Sequence, residues 1–102
     1  MSRAATVREN AVEAALRDAV ESVGGECVKL SPGGGWPDRV VLWPDGSTCL
    51  VELKRPRGGI VSPRQMSIKS KLKGMGHHVH IITTKEAARE FVRNWKIERN
   101  IQ

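Results

Sequence analysis

The stretch "DRVVLWPDGSTCLVELK", residues 38–54, limits the folds open to this chain more than any other. Two apolar, β-branched runs flank "PDGS". Asp45-Gly46 is a strong hairpin signal, because glycine takes the positive φ that such tight turns demand. A hairpin fixes register, and register decides which side chains share a face. Strand residues two apart point the same way, about 7 Å apart along the chain. Glu52 and Lys54 therefore share a face with Leu50, while Cys49, Val51 and Leu53 take the other. Counted back from the turn, Asp38 lies about as far from it as Glu52 and Lys54 do. The hairpin gathers an Asp, a Glu and a Lys at one end of a sheet.

The flanking sequence predicts a layered α/β domain. Thr6 and Glu9 have the spacing of a capping box, opening a helix to about Val23 with Val12, Leu16, Ala19, Val20 and Val23 on one face. Gly24-Gly25 ends it. "ECVKL" (26–30) reads as a strand and "SPGGG" (31–35) as a loop. After the strands at 38–43 and 48–54, Ser62-Pro63 reads as an N-cap with proline at the first helical position, opening a helix to about Lys73. "HVHIIT" (78–83) is a β-branched strand. Thr83 with Glu86 suggests a second capping box, opening a last helix from about Lys85 to Arg99, with Ala88, Phe91, Val92 and Trp95 as its buried stripe. The predicted order is α-β-β-β-α-β-α around a mixed sheet.

A chain of 102 residues has room for one modest core, so residues 1–102 are expected to form a single domain. No apolar run approaches the roughly 20 residues that span a bilayer, and the N-terminus lacks a secretory h-region. No membrane association is expected, and a cytoplasmic location is. Cys27 and Cys49 fall in predicted strands without metal spacing and read as reduced filler. Seventeen Lys and Arg against eleven Asp and Glu give a net charge of +6, which favours a polyanionic partner, nucleic acid first.

Two carboxylates that close repel unless a cation lies between them. Hard divalent ions such as Mg²⁺ prefer oxygen ligands and polarise phosphoryl oxygens. A lysine on the same face stabilises negative charge in a transition state. This chemistry fits phosphodiester hydrolysis. The competing structural explanation is a salt-bridged hairpin end in which Lys54 merely pairs with Glu52.

Pro37-Asp38 followed by Glu52-Leu53-Lys54 resembles the PD-(D/E)xK signature of restriction-endonuclease-like nucleases. The surrounding "GGGWPDRVVLWPDG", "LVELKRPRGG", "SPRQ" and "GMGHHVHIITT" are similar to the stand-alone phage type of one branch, the VRR-NUC (virus-type replication-repair nuclease) domains. The likeness runs over about residues 9 to 86.

The resemblance implies a PD-(D/E)xK core and Mg²⁺ or Mn²⁺ held by Asp38, Glu52 and the Leu53 carbonyl. It makes Lys54 the catalytic lysine. It implies cleavage to 5′-phosphate and 3′-hydroxyl ends, and a homodimer that resolves four-way (Holliday) junctions. Bacterial host cytoplasm follows if the source is a phage. Rival activities are flap processing, nicking or restriction-like cleavage. In another class stands a branched-DNA-binding module without catalysis.

The resemblance also implies a glutamate on the first helix and a glutamine on the second. Glu9 and Glu13 both project near the apolar face, and geometry alone does not choose between them. The Thr6 capping box accounts for Glu9, whereas Glu13 falls in the family's register relative to Leu16 and Gly24-Gly25; Glu13 is the expected catalytic and metal-binding residue. Gln65 shares a helix face with Ile68 and Leu72. By residue pattern it hydrogen-bonds a backbone group, and by resemblance it borders the active site.

Arg55, Arg57, Arg64, Lys69, Lys71 and Lys73 form the densest basic stretch and are expected to contact DNA phosphates; Lys29, just before the glycine loop, reads either as a further phosphate contact or as an exposed strand lysine. Arg89, Arg93 and Lys96 read as a solvated edge. "SPGGGWPD" lacks the Gly-Lys-Ser/Thr of a phosphate cradle, so no nucleotide cofactor is expected. His77, His78 and His80 read as ordinary strand and loop residues. Trp36 and Trp43 are candidates for base stacking or a dimer interface, and Trp95 for the core.

Overall fold

The hairpin forms as its turn chemistry requires. In the computed structural model, Gly46 has φ +91° and its N–H donates to the Trp43 carbonyl at 3.0 Å, while the Ser47 N–H donates to the Asp45 carboxylate at 2.9 Å. The structure describes residues 3–54 and 62–99, with side chains of the first helix from residue 11 onward.

The elements follow the predicted order: α1 (Arg3–Ser22), β1 (Glu26–Lys29), β2 (Arg39–Leu42), β3 (Thr48–Leu53), α2 (Pro63–Gly74), β4 (Val79–Ile82) and α3 (Lys85–Glu98). The strands make one four-stranded sheet in the order β1-β2-β3-β4. The first three run antiparallel, and β4 joins β3 in parallel after the α2 crossover. This is the mixed sheet and α/β layering expected of a restriction-endonuclease-like core.

Two helix starts differ from expectation. α1 begins at Arg3, so Thr6 lies within the helix rather than at its N-cap, and the capping-box account of Glu9 fails. α3 is capped by Thr84, whose hydroxyl accepts from the Ala87 N–H at 3.0 Å. The cap thus sits one residue after Thr83, and its N3 position falls on Ala87, which has no side chain to complete a box. α2 has the predicted Ser62 cap with Pro63 at the first helical position, and Gln65 completes a capping box there.

The two faces of the sheet differ in what covers them. Cys27, Val41, Val51 and Ile82 turn toward α1 and α3, where they meet Val12, Leu16, Val20, Ala88, Val92 and Trp95. Leu16, Val20, Val41 and Val51 are fully buried, each such side chain contributing about 1.5–3 kcal/mol. Trp43 is buried here as well, its ring stacked on Trp95 at 4.4 Å between centroids. That corrects the reading of Trp43 as a base-stacking or interface residue, while Trp36 stays exposed. Both cysteines are free, and burial pushes the Cys27 thiol up, which suits an inert filler.

The hairpin tip is tied to the end of α3. Arg99 Nε donates to Asp45 Oδ2 at 2.6 Å, and the Ser47 hydroxyl donates to Oδ1 at 2.6 Å. Hydrogen bonds from Ser47 and then Arg99 lower the Asp45 carboxyl to about 2. A depressed carboxyl binds its proton more weakly folded than unfolded, so its stabilisation is full above the ordinary carboxylate range and is lost as pH falls toward the folded value. Thermal melts should therefore show wild type losing more Tm than Asp45→Asn between about pH 5 and pH 2.5. Equal losses over that window would show that the tie does not stabilise the fold.

Candidate active site

Alternation along β2 sends neighbouring residues to opposite sides of the sheet. Arg39 pairs with Val51 and faces α1, so Asp38 belongs to the other side, with Glu52. Asp38 sits at the entry to β2, where its backbone carbonyl accepts from the Leu30 N–H at 2.8 Å. Its carboxylate Oδ2 accepts from the Leu53 N–H at 2.8 Å, which fixes the acid against the end of β3. The hairpin brings Asp38, Glu52 and Lys54 to one end of the sheet.

Glu52 is only 3% exposed, an unusual position for a carboxylate. It stands opposite Ile81 of β4 and beneath the first turn of α2. Gln65 Nε2 donates to its Oε1 at 3.1 Å. Oε2 is buried without a hydrogen-bond partner among the described residues. Lys54 Nζ stands 3.8 Å from it, an ion-pair distance too long for a hydrogen bond. An unsatisfied buried polar atom costs about 1–3 kcal/mol, more when charged. A hard cation would remove that cost, so the donor set fits Mg²⁺ or Mn²⁺.

Gln65 organises the other side. Its Oε1 accepts from Lys54 Nζ at 3.1 Å and from the Ser62 N–H at 3.0 Å. Two donors on one oxygen set the amide orientation, leaving Nε2 for Glu52. The parallel ladder also continues one bond past β3, with the Lys54 N–H donating to the Ile82 carbonyl at 3.0 Å, which fixes the base of the lysine side chain.

Glu13 lies elsewhere. Its Oε1 is 2.6 Å from Arg39 Nη2 and 3.9 Å from Arg17 Nη1. Arg39 is 6% exposed, and a buried guanidinium requires a carboxylate partner. Among the described residues, no three His, Cys, Asp or Glu side chains come together around one cation position. The structure pairs Glu13 with Arg39 on the α1 side of the sheet and does not bring it together with Asp38 and Glu52. Sequence reasoning missed Arg39, although strand alternation beside Asp38 points it into the core layer and Glu13 is an acid at the edge of the facing helix.

The expected phosphate contacts divide. Lys69 and Lys73, with Met66, His77 and Val79, line an open groove of about 380 Å³ between α2 and β4. Lys71 is exposed on the same helix. Arg64 instead turns back, donating from Nε to the Gly34 carbonyl at 2.6 Å. Lys29 pairs with Arg39 in register and so lies on the α1 side of the sheet, opposite the side of Glu52. Arg55 and Arg57 lie outside the described residues. His80 packs on Phe91, ring centroids 4.9 Å apart, and burial pushes its imidazole down toward the neutral form.

No family model matches the sequence. The chain is 35% identical over 82 residues to the protein named "Putative nuclease p44" from Acyrthosiphon pisum secondary endosymbiont phage 1, spanning 78% of this chain and 87% of the phage protein. A solved structure of a VRR_NUC domain superposes with a TM-score of 0.76 at 23% identity, covering 86% of this chain and 97% of that one.

Removing one partner of a buried ion pair strands the other, whereas replacing both with apolar residues does not. Glu13→Ala is thus expected to cost about 2–3 kcal/mol in urea unfolding, less than a fully buried pair because Glu13 is partly exposed. The double variant Glu13→Leu with Arg39→Met should recover most of the loss. A Glu13→Ala variant as stable as wild type would show that the pair is not structural.

Proposed function

The chain belongs to the VRR-NUC family, and from that premise we propose that it is a metal-dependent DNA endonuclease hydrolysing phosphodiester bonds in branched DNA. The observation that carries this reading is the buried Glu52 carboxylate, with one oxygen held by Gln65 and the other unpartnered among the described residues. Lys54 stands at ion-pair distance, 3.8 Å, from that second oxygen without hydrogen-bonding it, so the salt-bridged hairpin end leaves the oxygen's hydrogen-bonding capacity unused among the described residues.

Asp38, Glu52 and the Leu53 carbonyl would hold the divalent cation, Mg²⁺ or Mn²⁺. Once bound, the ion supplies positive charge that polarises a phosphoryl oxygen and acidifies water. The chain's own groups do the rest. Gln65 keeps Glu52 Oε1 engaged and thereby presents Oε2. The Leu53 N–H holds one Asp38 oxygen and aims the carboxylate. Lys54, steadied by Gln65 Oε1, places an ammonium where negative charge builds on phosphorus as water attacks and the 3′ oxygen departs. The products are 5′-phosphate and 3′-hydroxyl ends. Glu13 acts one step behind, through Arg39, which follows Asp38 on β2.

The groove lined by Lys69 and Lys73 lies along the same helix that carries Gln65, so a duplex arm gripped there runs past the cleavage position. A second copy of the chain completes the proposed junction-resolving assembly, one active site per strand. On the Glu52 side of the sheet, Val28, Leu42 and Ile81 are exposed, an apolar surface suited to such a partner.

End-labelled four-way junction, 5′ flap and linear duplex are offered to the purified protein with Mg²⁺, Mn²⁺ or EDTA. Opposed cuts in the junction are expected only with metal, and Lys54→Ala should lower the rate by about a hundredfold or more. Light scattering should give a dimer. Cleavage of flap or duplex in preference to junction would overturn the substrate assignment, and binding without any cleavage would overturn the enzymatic one.

A further inference from the structure

The glycine loop and the first turn of α2 meet in a way that the expected phosphate contact at Arg64 does not explain. Arg64 Nε donates to the Gly34 carbonyl at 2.6 Å. Beside it, Gly35 has φ +92°, and a Cβ built there would stand 3.0 Å from Gln65 N and 3.2 Å from Arg64 C. The loop backbone therefore rests on the peptide unit joining Arg64 to Gln65, at a distance only glycine allows. This is the peptide from which the Gln65 side chain reaches Lys54 and Glu52. Three residues after Gly35, the same loop delivers Asp38.

We propose that Arg64 is a positioning residue of the nuclease site: its guanidinium clasps the glycine loop to the first turn of α2 and so fixes Gln65 relative to Asp38. The proposal rests on the reading of Asp38, Glu52 and Lys54 as the cleavage centre. α2 needs such a tie, because Leu72, near its far end, is its one buried residue. Apart from the bonds of Gln65 itself, packing holds the first turn only weakly, and catalytic geometry is sensitive to displacements of about 1 Å. The clasp joins the loop that leads into Asp38 with the helix that holds Lys54 and Glu52.

A phosphate contact and a positioning contact respond differently to the same truncation. Loss of a phosphate contact weakens DNA binding and lowers the slope of log affinity against log salt by about 1, leaving turnover of the saturated enzyme intact. Loss of the clasp lowers turnover and leaves affinity and salt slope unchanged.

The test uses the full chain with saturating junction DNA and Mn²⁺ for single-turnover rates, Ca²⁺ and a salt series for DNA affinity, and nitrogen–proton correlation spectra of the metal-free protein for the Gln65 side-chain amide. Arg64→Ala should slow cleavage by about tenfold with affinity unchanged, and should shift the Gln65 amide signals. Arg64→Lys, which keeps a donor for the Gly34 carbonyl, should recover most of the rate. Gly35→Ala should slow cleavage as Arg64→Ala does. Gly33→Ala should not, since Gly33 also has positive φ (+67°) but nothing within 4 Å of an added Cβ.

Unchanged turnover with weakened, less salt-dependent DNA binding would overturn the proposal and return Arg64 to the phosphates. Unmoved Gln65 signals would overturn it as well. An unmutated protein that neither binds Mn²⁺ nor cuts any DNA would instead bring down the cleavage-centre reading, and the positioning role with it.

Discussion

A single amide, the side chain of Gln65, ties the site together. It closes the N-terminus of α2 by accepting from the Ser62 N–H, accepts from Lys54 Nζ, and donates to Glu52 Oε1. Each bond restricts the others, since the oxygen that serves both donors leaves only the NH₂ group for the carboxylate. A capping box and a lysine–carboxylate pair, which elsewhere are separate devices, here share one residue. Helix α2 could not move without disturbing the charges it covers.

The rest of the fold separates structure from chemistry by strand alternation. On β2, Arg39 and Val41 enter the layer under α1 and α3, while the preceding Asp38 belongs to the opposite face. On β3, Val51 is fully buried in the same layer and Glu52 turns toward α2. The core layer tolerates one cation, Arg39, because Glu13 reaches it at 2.6 Å. The chemical face tolerates a buried acid, Glu52, one of whose oxygens has no hydrogen bond among the described residues. Natural sequences depart from local consistency mainly where function requires it, and the proposed cation site is the reason offered for the Glu52 oxygen that lacks a hydrogen bond among the described residues.

Much of this was legible in the sequence. Turn chemistry at Asp45-Gly46 fixed the register, the register placed Asp38 against Glu52 and Lys54, and the Ser62-Pro63 cap located α2 and with it Gln65. The Val12–Val23 and Ala88–Trp95 stripes found their core layer. The errors share a cause. Thr6 and Thr83 satisfy local spacing rules, but such rules locate a helix end only to within a residue or two. Trp43 looked available for stacking because nothing local reveals that Trp95, far along the chain, covers it. For Glu13 the sequence offers a family register, while the Arg39 that it bonds shows only in three dimensions. The direction of the Arg64 side chain was likewise invisible, since its partner is a backbone carbonyl 30 residues away.

Glu52 is buried with Oε2 free of any hydrogen bond among the described residues, and a divalent cation is the partner proposed for that oxygen. Isothermal titration of the metal-free protein with Mn²⁺, for wild type and Glu52→Gln, tests it most directly. Wild type should bind Mn²⁺, and Glu52→Gln, which keeps the shape but lacks the charge, should lose about tenfold or more in affinity. Equal affinity in the two proteins, or no binding by wild type, would contradict the account.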